Sequence, residues 1–187
     1  MSTSTLSPLF ELLDTPARTA ARLAGESAFK SLGLALCGAT LAALATLGGA
    51  ALVTNADVLT SSPVRFGRGA LAGIAIVLPS LMLYFTYIDA EVDAAALLGT
   101  TGTVLVVSGV VAMATLPLVT YFQLMDQTGA GRLIGFVPVG TASVTFLVMF
   151  TRVGRAFKVG AENKRLVDGA VLALAVAMFL GGHGGVG

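Results

Sequence analysis

Charge is what this sequence has least of. Only 11% of its 187 residues are Asp, Glu, Lys or Arg, against about 25% in a typical soluble domain. Tryptophan is absent, and there is one cysteine and one histidine. Each shortage excludes something. A lone Cys37 closes no internal disulfide, and no Cys/His grouping has the spacing of a zinc site. Cys37 sits in an apolar run with no nearby charge to lower its pKa, so it reads as a small packing residue. His183 lies among glycines and lacks the rigid support that a catalytic imidazole needs. No histidine stands in an apolar run to activate Ser108 as a nucleophile. The net charge of +1 leaves no basic face for nucleic acid. The expectation is therefore a chain with no enzyme chemistry, no metal, no cofactor and no nucleic-acid partner.

In place of charge there are long oily runs. Ala94 to Phe122 carries no charged residue at all. At about 1.5 Å of rise per residue, a helix of that length exceeds the roughly 30 Å hydrocarbon core of a bilayer. Thr101, Ser108 and Thr115 recur every seven residues along it, beside Gly102, Gly109 and Ala112. That spacing predicts one face of small and hydroxyl-bearing residues, suited to close helix packing or to lining a pore. The other faces are Val, Leu and Met, which suit lipid. This span is expected to be the central helix of a bundle.

Four more runs fit the same class, giving spans at about 31–53, 69–88, 94–122, 134–151 and 167–182. The predicted fold is all-α: a polytopic membrane bundle of five transmembrane helices. The first span pairs small residues at Ala35/Ala39, Gly38/Ala42 and Ala45/Gly49. A polar loop containing Arg65 and Arg68 is expected before the second span, which opens with Gly69 and Gly73 one turn apart. Pro79, Pro117 and Pro138 are expected to kink their helices, since proline removes a backbone donor. The acidic loop Asp89 to Asp93 lacks the glycine turn of a calcium loop and reads as a solvated hairpin tip. Residues 183–187 are expected to form a flexible tail.

Residues 1–30 precede the bundle as a cytoplasmic segment. The first span, starting only at Ser31, reads as an uncleaved signal anchor. Ala17, Ala20, Ala21, Ala24 and Ala28 predict one apolar face, with Arg18, Arg22, Glu26 and Lys30 opposite. Such an amphipathic helix lies on a membrane surface, or docks a soluble partner through residues 7–30. Orientation follows from Lys and Arg. Eight of the eleven lie in the N-terminal segment or among Arg152, Arg155, Lys158, Lys164 and Arg165. That cluster reads as the topology signal or as a site for lipid headgroups. The N-terminus is then cytoplasmic and the C-terminus outside. The Ala/Gly/Val-rich composition suits a GC-rich bacterium, and hence its cytoplasmic (inner) membrane.

The layout resembles the Yip1-like family of small membrane proteins. Pro-Leu-Phe-Glu at residues 8–11 precedes a helix, and the long third span ends in Ala114-Thr-Leu-Pro117, an Ala-x-x-Pro ending. The resemblance implies five spans with the N-terminus inside and the C-terminus outside. The Asp-Leu-Tyr-Gly-Pro motif of eukaryotic members is absent, and no functional residue is carried over. Two functions are expected in order. The first is a membrane subunit or scaffold that binds other membrane proteins, or copies of itself, through small-residue faces. The second is an oligomeric channel or transporter lined by Thr, Ser and Gly.

Overall fold

The computed structural model describes residues 14, 15, 18, 28–53, 58–87, 94–125, 131–154 and 164–184. Seven α-helices appear among them: α1 (Ala28–Val53), α2 (Ser62–Tyr87), α3 (Ala94–Ala114), α4 (Leu116–Met125), α5 (Gly131–Ile134), α6 (Val137–Gly154) and α7 (Lys164–Gly184). A 3-10 turn at Val58–Thr60 precedes α2, and no strand occurs among the described residues. Three apolar stretches are long enough to cross a membrane: Leu32–Leu52, Ser62–Tyr84 and Leu97–Met125. Val137–Val153 and Val167–His183 are apolar but shorter. The expected amphipathic helix at 7–30 falls mostly outside the described residues, as do the 89–93 loop, Arg155 and Lys158.

Prolines set three of the helix boundaries or interruptions. The carbonyl of Ser61 accepts the N–H of Arg65 at 3.0 Å, which starts α2. Pro63 then sits in the first turn, where a missing N–H breaks no ladder bond. The helix therefore begins seven residues before Gly69, and the stretch expected as loop, including Arg65 and Arg68, is helical. Pro117 has no N–H to offer the Met113 carbonyl, so α3 stops. Thr115 bridges the break: its N–H donates to the Ala112 carbonyl at 3.1 Å, and its own carbonyl accepts the Val119 N–H at 3.0 Å. Pro138 is the second residue of α6, behind a Phe136 carbonyl that accepts the Gly140 N–H. It starts that helix, where the sequence reading expected a kink. Pro79 alone lies inside a helix that continues past it, on an exposed face.

Two close helix pairs form the bundle, and glycine makes both. A Cβ placed on Gly38 of α1 would overlap the backbone of Leu105 and Val106 in α3. One placed on Gly109 of α3 would come within 2.7 Å of the Leu41 Cβ and 2.9 Å of the Gly38 carbonyl oxygen. Residue numbers rise together across this crossing, so α1 and α3 run parallel. In the second pair, Gly69 of α2 meets the Gly181 carbonyl of α7, and Gly73 meets that of Ala177. Here the numbers run in opposition, so α2 and α7 are antiparallel. Gly181 and Gly182 are thus packed helix residues, and α7 continues through His183 and Gly184, beyond the expected start of the tail. His183 is exposed and lies over Phe179, with ring centroids 4.5 Å apart.

Larger side chains fill the space between the pairs. Ile74 and Leu81 of α2, Val104 and Leu105 of α3, Phe146 and Phe150 of α6, and Leu174 and Met178 of α7 form one buried cluster. Phe146 and Phe150 stack with centroids 5.8 Å apart. The third apolar stretch is the most enclosed, 56% buried against 33% and 28% for the first two. Leu36, Leu44, Ile76, Leu83, Val144, Leu172 and Val176 are exposed, as lipid-facing residues are. Cys37 is also exposed, facing outward rather than packing inside.

Candidate functional site

The hydroxyl face of α3 is the first candidate. Thr101 is 1% exposed and Ser108 2%, so both lie inside the bundle. The Thr101 hydroxyl donates to the Leu97 carbonyl at 2.8 Å, and the Ser108 hydroxyl to that of Val104 at 2.7 Å. Thr115 donates to Ala112 at 2.6 Å across the helix break. Each hydroxyl hydrogen is used locally, three or four residues back along the chain, so none of these donors reaches a neighbouring helix. Buried Thr103 does the same toward Gly99 at 2.8 Å. Gly102, Gly109 and Ala112 are buried on the same helix. Only Gly109 of the three small residues is recorded making a backbone-close crossing, the one with α1. Ala112 packs with Ala45 and Ala142.

The second candidate is a cavity of about 370 Å³ enclosed by α1, α2, α3, α6 and α7. That volume lies within the roughly 300–1,000 Å³ of ligand pockets. Its deep walls are buried: Ala42 and Thr46, Ile74, Leu105 and Ser108, Phe146, and Met178. The hydroxyls of Thr46 and Ser143 in this wall also donate within their own helices, to Ala42 and Val139, each at 2.8 Å. Its outer walls are half-buried or exposed: Ala43 and Leu47 on α1, and Val64, Arg68 and Leu71 on α2. The mouth therefore lies between α1 and α2, beside the exposed Leu59 of the turn that precedes α2. Arg68 is the one charged residue in the lining. Among the described residues nothing pairs with it.

The cationic residues expected to meet headgroups are placed in part. Arg152 is exposed in the last turn of α6 and Arg165 in the first turn of α7, while Lys164 opens α7. Because Gly181 of α7 meets Gly69 of α2, this end of the bundle lies opposite Arg68. Among the described residues no group of three His, Cys, Asp or Glu converges as metal ligands would.

Three further glycines behave differently from those at the crossings. Gly33 of α1, Gly140 of α6 and Gly169 of α7 are exposed, and among the described residues a Cβ on any of them would meet nothing within 4 Å. Sequence reasoning overlooked them because glycine spacing does not tell an inward face from an outward one. It overlooked the cavity as well, since empty space is set by how helices cross. Neither protein-family models, nor curated proteins, nor solved structures yield a match to this chain.

Proposed function

We propose that the protein is a non-enzymatic subunit of the bacterial cytoplasmic membrane that crosses it five times and assembles with other membrane helices. The observation that carries this reading is the set of outward glycines. A glycine inside a helix costs about 1 kcal/mol relative to alanine. Gly38, Gly69 and Gly109 return that cost by letting two backbones meet. Gly33, Gly140 and Gly169 have nothing above them among the described residues, so no contact there returns that cost. A helix of another subunit, or of a second copy, seated on them supplies the missing contact. Gly169 and Ala173 lie one turn apart on the exposed side of α7, the small-xxx-small spacing that such a contact uses.

Five crossings are supported by helix length and direction. The 18 residues of α6 and 21 of α7 extend about 27 Å and about 31 Å, close to the ~30 Å core. A mismatch of a few ångströms costs only fractions of a kcal/mol per Å. The parallel α1 and α3 and the antiparallel α2 and α7 are the directions that alternate crossing requires. Arg152 and Arg165 at the end opposite Arg68 agree with a cytoplasmic N-terminus.

The test is assembly. Membranes containing the wild type are extracted in mild detergent and run on a native gel beside Gly140→Leu and Gly169→Leu. Both variants gain helix propensity, so the chain itself stays folded. The expected result is a large species for the wild type and a shift to the single chain for the variants. Identical migration of all three refutes the reading.

A further inference from the structure

We propose that the cavity beside Arg68 holds one acyl chain of an anionic phospholipid drawn from the surrounding bilayer, with the phosphate on the Arg68 guanidinium. Three observations point to this occupant. The mouth opens between α1 and α2, and its outer lining apart from Arg68 is apolar: Ala43, Leu47, Leu59, Val64 and Leu71. Such a rim favours entry from lipid over entry from water. The deep wall is aliphatic and aromatic, and the hydroxyls of Thr46, Ser108 and Ser143 are already bonded to carbonyls of their own helices. The interior thus suits hydrocarbon and offers no free hydroxyl donor. Among the described residues that line the cavity, the only charge is the cation of Arg68.

The place of Arg68 suits a headgroup. It lies six residues beyond Ser62, about 9 Å along the helix at 1.5 Å per residue. A long cationic side chain near a helix end reaches toward the interface while its stem covers apolar surface. The N-terminal turns of α2 and α6 flank the same region through Val64 and Val139, and helix N-termini carry partial positive charge. All of these terms favour an anion at the mouth above hydrocarbon. They also favour a net-anionic headgroup over a zwitterionic one, whose own cation competes with Arg68.

The experiment weighs the full-length protein by native mass spectrometry after delipidation. Phosphatidylglycerol, phosphatidylcholine and inorganic phosphate are each added separately. The wild type is expected to retain one phosphatidylglycerol about fivefold more strongly than phosphatidylcholine, the factor for one cation beside an anionic headgroup. Arg68→Gln abolishes the preference and Arg68→Lys keeps it. Ala43→Phe, which blocks the mouth, lowers retention of both lipids. Should that variant lose its helical circular dichroism, Leu71→Phe tests the same wall from α2. Equal retention of the two lipids by the wild type overturns the proposal, and so does undiminished binding with the mouth blocked. Binding of inorganic phosphate as strongly as the lipid overturns the acyl-chain part. None of these results depends on whether the chain assembles with a partner, so lipid binding and assembly fail or stand separately.

Discussion

Gly33 and Gly38 lie five residues apart on α1, and alanine is expected to act in opposite directions at the two. Intrinsic helix propensity treats them alike, favouring alanine by about 0.8–1.0 kcal/mol at each. The surroundings separate them. Above Gly33 no described residue stands within 4 Å, so Gly33→Ala is expected to keep the whole gain. Above Gly38 a Cβ stands 2.8 Å from the Leu105 Cβ and overlaps the Leu105–Val106 backbone. Carbon atoms rest at about 3.5–4.0 Å, so α1 and α3 must separate by roughly 1 Å. Nothing local can yield, because the obstructing atoms are main chain rather than the tip of a side chain. Overpacking of this kind costs about 1–3 kcal/mol. After the propensity gain, Gly38→Ala is expected to lose up to about 2 kcal/mol. The two variants then differ by the overpacking cost, about 1–3 kcal/mol. Reversible unfolding in mixed micelles, followed by circular dichroism, measures both against the wild type. Equal stability of Gly38→Ala and Gly33→Ala refutes the crossing, since propensity alone then accounts for both.

Two other substitutions test the remaining contacts by the same assay. Gly181→Ala places a methyl group against the Gly69 carbonyl and is expected to lower stability by up to about 2 kcal/mol once the propensity gain is set against the overpacking cost; a gain instead shows that α2 and α7 do not meet there. Thr101→Val keeps the shape and removes a hydroxyl whose bond stays within its own turn. It is expected to change stability by about 0.6 kcal/mol or less, the average worth of such a bond in a membrane bundle, while a loss above about 2 kcal/mol shows that the hydroxyl serves another helix.

The class of fold was legible in composition, and the rotation of each helix was not. In a soluble helix the polar face marks the outside. Here both surroundings are apolar: the neighbouring helix inside and the lipid outside. Ala94–Ala114 is oily all round, so periodicity alone leaves its facing undetermined. Its centrality could still be inferred, because hydroxyls at Thr101 and Ser108 are better placed among helices than in hydrocarbon. Cys37 had no such marker, and it faces outward. Gly69 and Gly73 showed their spacing in the sequence, but their partners Ala177 and Gly181 did not, because which residues meet depends on how α2 and α7 cross. The start of α2 was misread for a related reason. Arg65 and Arg68 looked like loop residues, whereas Ser61 and Pro63 are the ordinary chemistry of a helix start.

Glycine therefore carries two messages here that one letter cannot separate. At residues 38, 69, 73, 109 and 181 it removes a Cβ for which there is no room. At residues 33, 140 and 169 it leaves a helix bare where there is room to spare. The first group explains how a chain so poor in charge can hold its helices together through close backbones. Close backbones raise the number of van der Waals contacts, the main attraction left once lipid has cancelled the hydrophobic one. The same reasoning applies to the second group, with the partner helix outside this chain. If the crossings hold because nothing larger than glycine fits, the bare positions hold no such necessity until a neighbour arrives. Stability of the lone chain should then be indifferent or improved by a larger residue at 140 or 169, while assembly should be lost. Measured together on one variant, those two responses separate a surface kept for a partner from a glycine that merely happens to face lipid.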